Sequence, residues 1–134
     1  MKEPVWIPRE VVLSVHEELL ARFGGLAGIR DEARLQAALD RPRNTFAYEG
    51  PKLFPVATAY TSGIVKNHPF LDGNKRTGFM LAYLFLQTNG HTFRAPEEEV
   101  VERTLALAAG AIKEADYAAW LERSSELAEK SGEL

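Results

Sequence analysis

One stretch constrains this fold more than any other: from Asn74 to Asn89, NKRTGFMLAYLFLQTN, the chain is apolar on nearly every face of a helix after its first turn. Phe79, Met80, Leu81, Tyr83, Leu84, Phe85 and Leu86 leave no broad polar stripe for water, so this helix is predicted to lie at the centre and to need neighbours that enclose it. The remaining sequence supplies them. Pro8 stands where the first turn of a helix tolerates proline, and Val11, Val12, Val15, Leu19, Leu20 and Phe23 recur at helical spacing up to Gly24-Gly25. Asp31 can cap a second helix carrying Leu35, Ala38 and Leu39, predicted to end before Pro42 because a residue preceding proline avoids the helical region. Residues 42–52 read as a loop or short hairpin. A third helix starts near Pro55, places Val56, Ala57, Tyr60, Ile64 and Val65 on one side, and stops at Asn67-His68-Pro69. After Gly90, HTFRAP reads as a short extended piece. Glu97 to Glu99 behind Pro96 favour a fifth helix through Ala109, and Asp116 caps a sixth holding Tyr117, Trp120, Leu121 and Leu127.

The expectation is an all-α chain, a single domain over residues 1–134, with about six helices around the Asn74–Asn89 segment. A chain of this length buries roughly 68–70% of its unfolded surface and needs no covalent staple. Absence of cysteine excludes disulfide scaffolds, iron–sulfur clusters and cysteine nucleophiles, and is compatible with a reducing cytoplasm. No signal peptide and no run of about 18 uncharged apolar residues is visible, so neither export nor a membrane partner is expected. Residues 97–134 hold 10 acidic against 4 basic side chains, which directs any anion site to residues 1–96, where basic residues are in excess. A sequence pI near 5.6 argues against a dedicated nucleic-acid binder.

The chemistry concentrates in Asn67 to Gly78, NHPFLDGNKRTG, between a helix that stops and the most apolar helix. Lys75 and Arg76 fall in a first turn whose macrodipole is already positive, so an anion should compensate them. Free backbone N–H groups, Gly73 allowing close approach, Asn74 as a donor and these two cations describe a phosphate site at a helix N-terminus. His68, fixed by Pro69, is a candidate general base, and Asp72 a candidate magnesium ligand. Taken singly, each has a plainer role: His68 or Asp72 as a helix cap, Lys75 and Arg76 as solvated cations. Other motifs fail on spacing. His16-Glu17-Glu18-Leu19-Leu20 lacks the second histidine of a zinc helix, Gly73 to Gly78 is not followed by Lys-Ser/Thr, and His16 and His91 read as structural.

His68-Pro69-Phe70-Leu71-Asp72-Gly73-Asn74-Lys75-Arg76 resembles the signature of the Fic/Doc (Fido) proteins at all nine positions. Arg22-Phe23-Gly24-Gly25, Ile29-Arg30-Asp31, Ala38-Leu39 with Arg41-Pro42, Ala47-Tyr48-Glu49 and Leu84-Phe85-Leu86 before Asn89-Gly90 resemble the death-on-curing (Doc) branch over nearly the whole chain. The resemblance implies a Fido fold binding ATP with magnesium under a β-hairpin flap at residues 44–53, with Tyr48 and Glu49 docking the target. By position, His68 would be the base, Asp72 the metal ligand, Gly73, Asn74, Lys75 and Arg76 the phosphate cradle, and Phe70 the core anchor of the loop. Lys75 stands where nucleotide-transferring members have glycine and Phe79 where they have a second arginine, both departures that disfavour an adenylyl-transfer pose. The resemblance then implies a toxin of a toxin–antitoxin system: a kinase that phosphorylates a threonine of elongation factor Tu, arrests translation, and is neutralised by an antitoxin segment that is disordered alone and folds on binding. A Fic-type adenylyltransferase using the same loop and an inactive helical binding module are the alternatives. Thr45 to Gly50 also fits an inhibitory pattern of some Fic proteins, but Pro42 and Gly50-Pro51 are expected to leave too little room for the helix that device requires.

Overall fold

The computed structural model describes residues 3–128. In chain order the elements are α1 (Arg9–Phe23), α2 (Glu32–Glu49), α3 (Leu53–Asn67), α4 (Asn74–Thr88), β1 (His91–Phe93), α5 (Glu97–Ala109), α6 (Glu114–Arg123) and β2 (Ser125–Leu127). Local signals set most of the boundaries. Pro8 and Pro96 precede α1 and α5, and Gly24, at φ 83°, ends α1. Asp31 caps α2 by accepting from the Arg34 N–H at 3.0 Å. HTF does become a strand, β1, which pairs antiparallel with β2, His91 opposite Leu127 and Phe93 opposite Ser125.

The helix at the centre is α3 and not α4. Every residue of α3 from Val56 to Val65 is buried, and the helix packs against α2, α4, α5 and α6. Its short side chains make that enclosure possible. A Cβ on Gly63 would stand 2.9 Å from the Ala38 carbonyl oxygen, so only glycine lets α2 approach there. Thr61 Oγ1 donates to the Gly78 carbonyl of α4 at 2.8 Å, and Ser62 Oγ to Glu114 of α6 at 2.8 Å, so these two buried hydroxyls are spent on neighbouring helices. Apolar bulk pointed to α4 because large residues dominate a hydrophobic count, whereas enclosure on all sides favours small ones. On α4, Leu81, Ala82, Phe85 and Leu86 are buried, while Phe79, Met80 and Tyr83 line a cavity on its other side.

Four further expectations change. Residues 44–53 are not a hairpin: α2 runs through Pro42 to Glu49, Gly50 caps it at φ 84°, and α3 begins at Leu53. A mid-helix proline deprives the Ala38 carbonyl of its usual donor and normally breaks a helix. Here Ala38 and Pro42 are both buried, and Arg41 binds Glu114 through a pair of bonds of 2.6 and 2.8 Å and Ser62 at 3.2 Å, so tertiary packing holds the helix across the defect. Asp116 is not the N-cap of α6 but its third residue, accepting from the Lys113 N–H at 3.1 Å. Leu127 belongs to β2 and is exposed. On α1 only Val12 and His16 are buried, and Phe23 is about half exposed, because its apolar stripe continues from the core to the cavity rim.

Candidate functional site

The α3–α4 connection folds around Phe70, which is fully buried and stacks on the His16 ring, centroids 3.8 Å apart. His16 Nε2 donates to the Asp72 carbonyl at 2.8 Å, so this buried histidine is a brace for the loop, in keeping with its structural reading. His91 is structural too, its ring edge-on to Phe54 at 5.3 Å. Asn74 braces from the other side: its Oδ1 accepts from Phe70 N at 3.1 Å and its Nδ2 donates to Phe70 O at 3.0 Å. The Asn74 side chain, expected as a phosphate donor, is therefore committed to the loop, and its main-chain N–H is what it presents at the helix end.

Gly73 is the N-cap of α4 at φ 77°, and no side chain caps that end. The first-turn amides of α4, with Lys75 and Arg76 exposed beside them, form one end of a cavity of about 1020 Å³. His68, Asp72, Gly73, Asn74, Lys75 and Arg76 all line it, so the residues expected from the loop motif share one space. Asp72 uses each carboxylate oxygen once, Oδ1 accepting from Gly73 N at 3.0 Å and Oδ2 from Leu26 N at 3.2 Å. An ionised carboxylate has further lone pairs, so Asp72 can also face a cation. Among the described residues no three His, Asp or Glu side chains gather as a metal cage, and a single carboxylate such as Asp72 suits magnesium, which protein sites commonly hold through one or two carboxylates.

His68 caps α3 in the left-handed region, φ 50° and ψ 55°, the one positive-φ non-glycine among the described residues. It is exposed. Desolvation by its surroundings and the cations of Lys75, Arg30 and Arg34 hold its imidazole below the ordinary value of 6.5, which favours the neutral, proton-accepting form. Phe79 packs edge-on to Phe93 at 5.5 Å and beside Tyr83 at 6.3 Å, building the apolar wall of the cavity from aromatic rings.

The structure adds residues that the loop motif did not single out. The Arg76 guanidinium lies 4.3 Å from the centre of the Phe23 ring, so the end of α1 orients this cation. From α5, Val101 and Leu105 bring an exposed apolar pair to the cavity; their four-residue spacing behind an acidic first turn was the available signal. Tyr48 and Glu49 do not line the cavity: they end α2, Tyr48 being 92% exposed. Thr45 to Glu49 is helical, against the expectation from its prolines, but the Glu49 side chain is exposed and lies outside the cavity that holds Arg76.

A helical fold closed on α3, with an uncapped α4 N-terminus set behind an HPFLDGNKR loop at the mouth of a large cavity, defines a Fido-type domain. The chain belongs to the Fic/DOC family, whose model matches residues 6–86. It is 35% identical over 119 residues to "Protein kinase doc" of Escherichia phage P1, covering 87% of this chain and 93% of that one. It is also 38% identical over 89 residues to "Toxin Doc" of Mycolicibacterium smegmatis (strain ATCC 700084 / mc(2)155), 63% of this chain and 65% of that one.

Proposed function

We propose that this chain is a Doc-type toxin, a protein kinase that moves the γ-phosphate of ATP to a threonine hydroxyl of elongation factor Tu and so arrests translation in the cytoplasm. Its two relatives bear the names of a kinase and a toxin. The observation that carries the γ direction is Phe79: its side chain is part of an aromatic wall, so the position of the second arginine of nucleotide-transferring members offers no cation to outer phosphates.

In this reading the α4 amides, Lys75 and Arg76 hold the transferred phosphoryl group and stabilise the charge that develops on it. His68 takes the proton of the threonine hydroxyl as its oxygen bonds to the γ-phosphorus and ADP departs. Asp72 would hold magnesium, which when bound would neutralise charge on the phosphates. Tyr48 and Glu49 contact the acceptor from the end of a helix, since the hairpin they were expected on is not formed. The partner antitoxin covers the cavity with a segment that is disordered alone, resting its apolar side chains on the exposed rim of Phe23, Leu71, Val101 and Leu105.

Incubation of the purified chain with elongation factor Tu and either α- or γ-labelled ATP is the test. The γ label is expected on the factor, with an intact mass increased by one phosphate. Appearance of the α label would replace the kinase with an adenylyltransferase. Transfer of neither, by a preparation that still arrests growth, would leave a binding module or another acceptor.

A further inference from the structure

The backbone of His68 is held in a conformation its own sequence opposes. Left-handed geometry is unfavourable for a residue with a Cβ, and a following proline also pushes its predecessor toward extended backbone. Such a conformation persists where the surroundings over-determine it. Apart from Asn74 Nδ2, 3.5 Å from the ring Nδ1, the surroundings that hold this backbone are one short stretch of chain. Arg34 Nη1 donates to the Asn67 carbonyl at 3.2 Å, Arg30 Nε to the His68 carbonyl at 3.0 Å, and the Arg30 and Asp31 amides to the Pro69 carbonyl at 2.7 and 3.2 Å. Leu71 N returns a bond to Gly28 O at 3.1 Å, and Ile29 pairs with Phe70 as an isolated antiparallel bridge. Three consecutive carbonyls around the histidine are thus taken from outside the loop, two of them by guanidinium groups.

We infer that Arg30, assisted by Arg34, is a positioning residue that fixes the His68 imidazole at the cavity, acting through the histidine's backbone and without touching the phosphates. The inference rests on His68 being the base of the proposed reaction. Neither arginine lines the cavity, which separates this role from that of Lys75 and Arg76. The charged groups bearing on the imidazole are Arg30 before α2, Arg34 on α2 and Lys75 on α4, and all are cations, so the same clamp that orients the ring also disfavours its protonation. Planarity matters to the arrangement. Arg30 Nε bonds the carbonyl from within the rigid fork of the guanidinium, whereas a lysine would supply the charge and one flexible donor.

The experiment uses the full chain with R30A and R30K, and reads the imidazole resonances of the three histidines by NMR across pH, together with kcat and the KM for ATP. For R30A the His68 titration midpoint is expected to rise while those of His16 and His91 stay put, and kcat to fall roughly 10- to 100-fold with KM little changed. R30K should restore the His68 midpoint and part of kcat. A His68 midpoint and kcat both unaltered in R30A would overturn the inference. If R30A moves all three histidines, R30K decides: wild-type His68 resonances with kcat as low as in R30A would likewise overturn it, and joint recovery would uphold it. The NMR arm needs no substrate, so it reports on the clamp even if His68→Ala retains phosphate transfer and the kinase reading itself fails.

Discussion

At His68 backbone strain and charge act on one residue, and both bear on the base role proposed for it. Because the folded state resists protonating this imidazole, the unfolded chain binds more protons between the folded value and 6.5; the contribution to stability is complete above 6.5 and is lost as pH falls through the folded value. For the same reason the acidic limb of the kcat/KM profile is expected on the acid side of 6.5, measured with a saturating acceptor. His68→Ala should abolish transfer yet leave the helical spectrum and melting temperature nearly unchanged, since the side chain is exposed and its long 3.5 Å contact with Asn74 Nδ2 leaves that amide still bonded to Phe70. A limb at or above 6.5, or full activity in the variant, would remove the assignment. Asp72→Ala separates a ligand from a turn brace. Freed Gly73 and Leu26 amides should cost about 0.5–2 kcal/mol, as for a lost cap, and magnesium-dependent ATP binding should vanish in calorimetry if the carboxylate is also a ligand. Nucleotide affinity that keeps its magnesium dependence would leave only the brace. Local sequence exposed these two residues because the loop motif is contiguous. Arg30 and Phe23 stood in stretches that carry the resemblance but received no role there, because the contacts they make depend on partners 38 and 53 positions away in the chain.

At the scale of elements, the decisive cluster is the junction of α2, α3 and α6, where Arg41, Ser62 and Lys66 converge on Glu114. Burial alone would push the Glu114 carboxyl up, but the hydrogen bonds from Arg41 and Ser62 outweigh it and hold the group below its ordinary 4.5. The stability it adds is therefore present above 4.5 and disappears as pH falls through the lower folded value. Glu114→Gln should lower stability by about 1–2 kcal/mol, a figure kept small because both partners remain about one-third exposed to solvent, and should flatten the acid side of the stability curve in urea titrations. An unchanged curve would mean that the junction does not support α2 across Pro42. That junction is also why the helix end was misjudged. Pro42 has a local penalty that any reading of neighbours detects, while its compensation comes from Ser62 and Glu114.

Across the whole molecule, helices meet at one cavity whose two ends differ: amides and cations at the α4 N-terminus, apolar side chains from α1, α4, β1 and α5 beyond it. The antitoxin segment proposed above is amphipathic to match these two ends, and mixing the chain with its antitoxin is expected to raise the circular dichroism at 222 nm above the sum of the separate spectra. Neutralised growth arrest without that gain would mean a partner already folded. Helix identity, the α4 boundaries and the HPFLDGNKR loop were legible in the sequence by themselves, because caps, prolines, periodicity and a contiguous motif act over a few residues. Three things were decided only in three dimensions. The central place of α3 follows from close approach at Gly63 and from the Thr61 and Ser62 hydroxyls bonded to other helices; the passage of α2 through Pro42 follows from a junction of three helices; and the setting of His68 follows from arginines that reach it from the α1–α2 connection and α2. Each is a sum of contacts between segments far apart in the chain, and a local pattern carries no term for the free energy of a neighbour it has not yet met.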